Sequence, residues 1–231
     1  MYNAFVALVG VMPHGDAGLA IIALTVIMRL VLYPVFTASI RTQMGMAAMQ
    51  GELDELKEKY KNNKEAMARE QLGLFKKHKV NPLAGFGALF VQLAVIIALY
   101  FALFQEGFPV INAALLYSFV PVPAEVSTNF FGIIDLLTPR HIVLALIVGV
   151  TQYLAIRLTL QRTPPPKSAQ EDKLAAHHMQ QHLMRYFMPA MLAVTSYFFA
   201  AAVGLYFVAG NLFSLWQEWL IRKQNNKQQE Q

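Results

Sequence analysis

Long uncharged stretches alternate with charged ones along this chain, and the uncharged stretches have the length of membrane-spanning helices. Residues 17–40 contain a single charged side chain, Arg29. Residues 80–105 carry no charge, and residues 186–221 contain only Glu218. Because a bilayer core of roughly 30 Å needs about 20 apolar residues in a helix, this pattern predicts an integral membrane protein. The composition agrees, since only 14% of the residues are charged against about 25% in soluble domains.

The stretch 186–221 is too long for one crossing. As a single helix it would extend about 54 Å at 1.5 Å per residue, so we predict two short spans joined by a turn at Ala201–Gly204. With further spans at 17–40, 81–104 and 139–160, we expect an all-α integral membrane protein with five transmembrane helices.

The remaining segments complete the predicted organisation. Residues 1–16 begin with an apolar run too short to span a bilayer, which favours an interfacial N-terminal helix. The expected order is then a first span (17–40), a cytoplasmic helical hairpin (41–80), a second span (81–104), an extracytoplasmic loop with interfacial helices (105–138), a third span (139–160), a cytoplasmic linker (161–182), the fourth and fifth spans (183–221) and a basic cytoplasmic tail (222–231).

Prolines mark several of these boundaries. Pro34 lies inside the first span and removes a backbone hydrogen bond, which predicts a kink near its end. Asn81-Pro82 and Thr138-Pro139 each place a capping residue before a proline, a pattern typical of a helix start. Three consecutive prolines from Pro164 are expected to stiffen the linker.

The charged segment 41–79 also carries apolar residues at spacings of three and four, which predict two packed helices joined at Asn62-Asn63. The expected stripes are Met46, Met49, Leu53, Leu56 and Tyr60 on the first helix, and Ala68, Leu72 and Phe75 on the second. This hairpin could be a coiled-coil spacer or a docking site for substrate or a partner, and the pattern does not distinguish the two.

Basic residues are distributed unevenly between the two sides of the membrane. Segments 41–79, 157–185 and 222–231 hold 17 of the 19 Lys and Arg residues. Since cytoplasmic segments are enriched in these residues, we predict an extracytoplasmic N-terminus and a cytoplasmic C-terminus.

Arg29 is the main candidate for function. A cation inside a bilayer costs several kcal/mol unless water or a partner solvates it, and its own span contains no carboxylate. A water-filled cavity open to the cytoplasm is the simplest solution. The alternative is an inert arginine whose side chain reaches the interface.

Uncharged polar residues in the spans are the other candidates. They could join Arg29 in the cavity, or they could form ordinary hydrogen bonds between helices. The candidate groove residues are Arg29, Gln92, Gln152, Asn211, Thr25 and Ser214.

Other classes of function fit poorly. The chain has no cysteine, which excludes disulfides and thiolate metal sites, and it has no metalloprotease, serine-hydrolase or phosphate-loop motif. His178 and His182 have i, i+4 spacing but few acidic neighbours. We therefore expect no enzyme, metal or cofactor. A secondary transporter is disfavoured too, because midplane carboxylates and internal repeats are absent.

Five short motifs in order resemble the YidC/Oxa/Alb family of membrane protein insertases. They are the start MYNAFVAL with GLAII; Thr25, Arg29, Leu30, Leu32 and Pro34; Asn81-Pro82-Leu83-Ala84-Gly85 with Gln92 and Ala98-Leu99-Tyr100; Gly149-Val150-Thr151-Gln152; and Met188-Pro189 with Leu205-Tyr206 and Asn211-Leu212-Phe213-Ser214. The chain departs from the family pattern at Ala88, Ala94, Ala200–Ala202 and Phe207.

This resemblance implies five helices around a hydrophilic groove that is open to the cytoplasm and lipid and contains the arginine. The expected function is an insertase of the bacterial inner membrane, which moves polar tails of nascent membrane proteins across the bilayer and releases their hydrophobic segments into lipid. Nascent membrane proteins and the lipid bilayer are the implied partners. We expect the tail from Arg222 to contact the ribosome and no specific nucleic-acid sequence to be bound, and leave open whether the Sec translocon takes part.

Two rival functions remain at this point. A membrane chaperone or assembly scaffold would pack other helices without moving a tail. A small-solute channel would need a continuous pore, whereas the polar residues lie mainly in the inner halves of the predicted spans.

Overall fold

The computed structural model describes residues 1–105, 108–160, 179 and 181–229, and its fold is all-α. The predicted linker at 161–182, with its prolines and His178, lies largely outside the described residues. The helices are α1 (Tyr2–Val11), α2 (Ala17–Val31), α3 (Tyr33–Ala48), α4 (Gln50–Lys59), α5 (Lys64–Lys77), α6 (Leu83–Tyr100), α7 (Ile142–Leu160), α8 (Met188–Phe198) and α9 (Ala201–Gln229). Single π-helical turns, Phe101–Gln105 and Leu183–Phe187, follow α6 and precede α8.

The first predicted span is broken rather than merely kinked. Its two halves, α2 and α3, meet at Leu32 with a bend of 67°, and Pro34 lies in the first turn of α3. Two other helices are long and apolar enough to cross a membrane, Leu83–Leu103 and Ile142–Thr159, and the bent pair makes a third if it counts as one span. The number of five spans stays a prediction.

One end of the molecule, which we call the loop end, is built from residues 108–141 and the adjacent ends of α2, α6 and α9. Asp16 caps α2 by accepting hydrogen bonds from the amides of Gly18 (2.8 Å) and Leu19 (3.1 Å). Its second carboxylate oxygen accepts from the Phe131 amide at 3.0 Å. The loop is therefore fastened to the start of α2.

Gly15 makes a second connection between the loop and α2. Its amide oxygen accepts from the Ser127 amide at 2.9 Å, and its φ of +61° is a conformation that glycine adopts readily. A Cβ at this position would lie 2.1 Å from the Glu125 carbonyl oxygen, so only glycine fits.

The interfacial helices predicted at 105–138 are wrong for the described residues of that segment. Residues 108–138 contain one 3₁₀ turn, Ala113–Leu115, and a two-stranded hairpin of β1 (Asn129–Phe130) and β2 (Ile134–Asp135). Backbone groups of this segment form hydrogen bonds with the ends of neighbouring helices instead of forming a helix of their own. The Leu136 carbonyl, for example, accepts from the Ala202 amide at 2.9 Å.

Two other predicted boundaries are wrong because of the same contacts. Pro139 pairs with Ala200 as an isolated bridge, so α7 begins at Ile142, where His141 Nδ1 accepts from the Leu144 amide at 3.4 Å. The turn between α8 and α9 lies at residues 199–200, and Ala201–Gly204 already forms the first turn of α9.

At the opposite end, which we call the hairpin end, α4 and α5 pack side by side. Their apolar contact consists of Met49, Leu53, Leu74 and Phe75, with Val80 against it. The predicted stripe on α5 is wrong in part, because Leu72 is 58% exposed and Leu74 is buried in its place. Glu52 joins the two helices through an ion pair with Lys77 (3.0 Å) and a contact with His78 Nε2 (2.8 Å), which is an ion pair when the imidazole is protonated.

The main apolar core lies at the loop end. It combines α1, the first half of α2, the end of α6 and the start of α9, and its members include Phe5, Val9, Ile21, Leu24, Val95, Leu99, Leu103, Leu136 and Leu205. The buried face of α1 thus packs against α2, in addition to any contact with a membrane surface. Beyond this core, toward the hairpin end, the space between the helices becomes polar.

Candidate functional site

Arg29 lies in the last turn of α2, not in the middle of a continuous span as the sequence pattern predicts. The break at Leu32 brings the first turn of α3 beside the guanidinium. Its Cζ lies 4.3 Å from the centre of the Phe36 ring on α3, within the range of a cation–π contact. The bend therefore solvates part of the charge.

Gln92 on α6 provides a direct polar partner for the arginine. The Arg29 Nη2 donates a hydrogen bond to Gln92 Oε1 at 3.3 Å. The amide nitrogen of Gln92 in turn donates to the Tyr206 hydroxyl on α9. This chain connects three helices across the boundary between the apolar core and the polar space. Among the described residues no carboxylate forms an ion pair with Arg29.

A cavity of about 220 Å³ opens beside Arg29, between α2, α3, α7 and α9, and we call it the groove. Four of the six predicted site residues line it: Arg29, Gln152, Asn211 and Ser214. Other polar side chains in its wall are Ser39, Gln43, Thr159, Gln217 and Glu218. The groove begins at Arg29 and extends toward the hairpin end.

The other two predicted residues line a separate, narrow recess on the opposite side of the arginine. Thr25 and Gln92 share this recess with Arg29 and Tyr206, and its volume is about 10 Å³, roughly enough for one water molecule. Thr25 is buried, and its hydroxyl donates to the Ile21 carbonyl at 2.7 Å. The Thr25 side chain thus forms its hydrogen bond within its own helix.

Two of the remaining site residues, Asn211 and Ser214, form hydrogen bonds through their side chains. The Asn211 amide donates to the Thr151 hydroxyl at 3.2 Å, which joins α9 to α7. The Ser214 hydroxyl donates to the Gly210 carbonyl at 2.9 Å. A Cβ at Gly210 would lie 3.1 Å from Arg29 Nη2, so the glycine allows the guanidinium to lie directly against α9.

Sequence reasoning missed several polar residues of the site on α9. Gln217 is fully buried and donates to the Tyr33 carbonyl (3.2 Å) and the Thr37 hydroxyl (2.9 Å). Glu218 is buried and pairs with Arg222 at 3.2 Å. Together with Tyr206 and Ser214 these residues recur at helical spacing on one face of α9, a pattern that could have identified them.

Residues 10–229 match the family described as 60Kd inner membrane protein. The membrane protein insertase YidC of Oceanobacillus iheyensis is 32% identical over 210 residues, covering 89% of this chain and 74% of that protein. YidC 1 of Halalkalibacterium halodurans is 28% identical over 216 residues, with coverages of 92% and 72%. The insertase MisCA of Bacillus subtilis is 29% identical over 210 residues, with coverages of 89% and 70%. Since the match extends over nearly the whole sequence, this chain belongs to the 60Kd inner membrane protein family.

Proposed function

We infer that this chain is a membrane protein insertase that receives the polar tail of a nascent membrane protein in the groove. The observation that carries this inference is the groove itself. It presents Arg29, which forms no ion pair with a described carboxylate, to a cavity of about 220 Å³ whose polar wall is mostly amides and hydroxyls, with Glu218 as its carboxylate. Glu218 pairs with Arg222. A multi-pass protein of the bacterial inner membrane is in keeping with its relatives and its apolar helices.

The orientation that we propose has the hairpin end in the cytoplasm. The segments 41–79, 157–185 and 222–231 hold 17 of 19 basic residues, which favours a cytoplasmic location for them. The N-terminus is then extracytoplasmic, the C-terminus is cytoplasmic, and the groove opens toward the ribosome side. We further propose that α8 and α9 complete a set of five spans.

In the proposed mechanism, an acidic or polar tail leaves water and enters the groove. Arg29 attracts a carboxylate of the tail, and the amides of Gln152 and Asn211 replace part of its hydration. The tail then has only the apolar core at the loop end left to cross. Its hydrophobic segment leaves sideways into lipid, where apolar burial favours it.

Weak binding suits this task, because a substrate that is held tightly would not be released. One cation and a few neutral groups provide such binding, since a charge-assisted hydrogen bond contributes only about 1.5–3 kcal/mol net. The groove is proposed to lower the barrier to transfer without making or breaking a covalent bond, so we assign no catalytic residue, metal or cofactor.

The hairpin of α4 and α5 is proposed to receive substrate on its way to the groove. The basic tail from Arg222 is proposed to contact the anionic ribosome, and a contact with the Sec translocon is a further proposal. No feature of the groove points to sequence-specific recognition of nucleic acid.

A chaperone or assembly scaffold without translocation is the alternative function, and the names of the relatives do not favour it. The two functions differ in the fate of the substrate tail. A scaffold would leave the tail outside the vesicle, whereas an insertase would move it across.

The deciding experiment uses proteoliposomes containing only this protein and a single-span substrate with a short acidic tail. After insertion, externally added protease should leave the tail intact, and detergent should make it digestible. Empty liposomes serve as the control. Substrate that binds to the proteoliposomes but keeps a protease-sensitive tail would show a scaffold.

A further inference from the structure

A second cavity lies on the other side of α3 from the groove. Its volume is about 610 Å³, and it is bounded by α3 and by the connection between α5 and α6. We call it the basic cavity, because its wall includes Arg41, His78 and Lys79, with Thr37, Thr42 and Asn81 as neutral polar neighbours. The two cavities share no lining residue. The basic cavity is thus a separate space from the groove.

The ionisable side chains that give this cavity its name are all basic. No carboxylate is among its lining residues. Glu52 pairs with His78 at 2.8 Å, but within the described part of the chain neither Arg41 nor Lys79 has an ion-pair partner. Both are exposed. Two cations therefore face an open cavity without a partner of opposite charge.

Lys79 occupies a backbone position that normally favours glycine. Its φ is +53°, and the amide of Val80 donates to the Phe75 carbonyl at 2.9 Å, the geometry of a helix end that usually carries glycine after the last helical residue. A lysine there accepts backbone strain. Strain of this kind is a reason to look for a function of the side chain.

The wall behind Lys79 is closely packed. A Cβ at Gly45 would lie 2.4 Å from the Val80 side chain, and the Thr42 hydroxyl donates to the Asn81 carbonyl at 3.1 Å. These contacts hold the connection between α5 and α6 against α3. The cationic side chains are therefore presented from a fixed backbone.

The basic cavity lies where the charged hairpin meets the apolar helix α6. The apolar span begins at Leu83, and the neighbouring Ala84 lines the cavity. On the same part of α6, Leu83 and Phe86 are 69% and 61% exposed. A lipid whose headgroup entered the cavity would have apolar helix surface beside it for its acyl chains.

We propose that the basic cavity binds the phosphate group of an anionic phospholipid, with Arg41 and Lys79 as its cationic ligands. Both side chains donate charge-assisted hydrogen bonds to phosphate oxygens, and Thr37 offers a hydroxyl nearby. A free phosphate ion has the same chemistry, but the exposed apolar surface of α6 beside the cavity favours the lipid. This site does not depend on the proposed insertase activity.

The test measures binding to the full chain in neutral detergent by native mass spectrometry. Phosphatidylglycerol, phosphatidylcholine and inorganic phosphate are titrated separately. Phosphatidylglycerol should bind saturably and more tightly than phosphatidylcholine. The double variant Arg41→Gln/Lys79→Gln should weaken that binding by about tenfold or more, given about 1 kcal/mol per cation near an anionic surface. The matched control Lys64→Gln/Arg69→Gln removes two exposed charges from α5 and should leave the affinity unchanged.

Lys79→Gly separates a binding role from a structural one. Glycine relieves the positive φ, so the melting temperature should stay the same or rise while affinity for phosphatidylglycerol falls about fivefold. Affinity for phosphatidylglycerol equal to that of the parent protein in both Lys79→Gly and the double variant would overturn the site. Saturable binding of inorganic phosphate, or of an acidic peptide, without binding of phosphatidylglycerol would overturn the lipid assignment.

Discussion

At the scale of single residues, the environment of Arg29 shows how a cation can be kept in an apolar region without being neutralised. A cation–π contact contributes about 0.5–2 kcal/mol, and a charge-assisted hydrogen bond about 1.5–3 kcal/mol. Together these offset much of a cost of several kcal/mol. In the proposed mechanism the groove provides the remaining solvation and leaves the charge available to a substrate.

Substitutions of Arg29 should distinguish the effect of its positive charge from the effect of its side-chain shape. Arg29→Ala should impair insertion of substrates with acidic tails, whereas Arg29→Lys should largely preserve it, because the attraction depends mainly on the positive charge. The fraction of protease-protected tail in proteoliposomes measures the effect, and a substrate with an uncharged tail is the control. Equal insertion by the Ala variant across several acidic substrates would contradict the electrostatic mechanism.

Gln217 is the residue that fastens the bend of α2 and α3 to α9. Its amide nitrogen bonds to both Tyr33 and Thr37, and it has no exposed surface. Because Arg29 and Phe36 lie on opposite sides of this bend, the amide also maintains their contact.

Gln217→Leu keeps the volume of the side chain but leaves the Tyr33 carbonyl and the Thr37 hydroxyl without this donor. We expect a loss of about 1–3 kcal/mol in stability, measured as a lower melting temperature in detergent. Gln224→Leu at an exposed position of α9 is the matched control, with an expected change below about 0.5 kcal/mol. Similar melting temperatures for the two variants would show that the bend does not need the amide.

At the scale of elements, the hairpin of α4 and α5 is held by a small apolar contact and by Glu52. Four buried apolar residues form the contact, which is little for two helices of 10 and 14 residues. The ion pairs of Glu52 with Lys77 and His78 are exposed, and such pairs are worth little individually. The association of α4 with α5 is therefore expected to be weak.

The connection through Glu52 should depend on pH. The hydrogen bond from Lys77 holds the pKa of Glu52 below its usual value of 4.5. A carboxylate whose pKa is lowered by folding stabilises the folded form above its unfolded pKa and loses that effect as the pH falls through the folded pKa. Distances between spin labels at Glu55→Cys and Leu72→Cys should therefore broaden below about pH 4.5.

Glu52→Gln provides the control for this experiment. It should show the broader distances already at neutral pH and no further change on acidification in the same range. An identical acid response in the parent and in Glu52→Gln would assign the change to another group.

At the scale of the whole molecule, apolar and polar interiors are separated along the helix axes. The loop end holds the main apolar core and many backbone bonds between the loop, α2 and α9. The groove lies on the other side of Arg29. A tail that enters from the hairpin end thus meets polar groups first and the apolar core last.

Thiol accessibility can test this division, because the chain has no cysteine of its own. Gln152→Cys and Ser214→Cys should react with a membrane-impermeant maleimide in inside-out vesicles. Leu205→Cys, a residue of the apolar core that is 6% exposed, should stay unlabelled until the protein is denatured. Labelling of the groove positions from the outside of intact cells would contradict both the closed loop end and the proposed orientation.

Much of this architecture follows from sequence pattern alone. The uncharged stretches identify the membrane helices because lipid admits only apolar segments of sufficient length. Pro34 locates the break in the first span, and a lone arginine without a nearby carboxylate marks a polar cavity. The three polar candidates Gln152, Asn211 and Ser214 do line that cavity with Arg29.

Other features required the tertiary structure, because they depend on contacts between residues far apart in the sequence. The backbone groups of the loop 108–138 form hydrogen bonds with α2 and α9 instead of forming helices. As a result, α7 and α9 begin at other residues than the sequence pattern predicts. The bend of 67° at Leu32 converts Arg29 from a residue in mid-span into one at a helix end, beside Phe36 and Gln92. Sequence therefore determined that a charge had to be solvated within the membrane, and only the packing of α2, α3, α6 and α9 decided which groups solvate it.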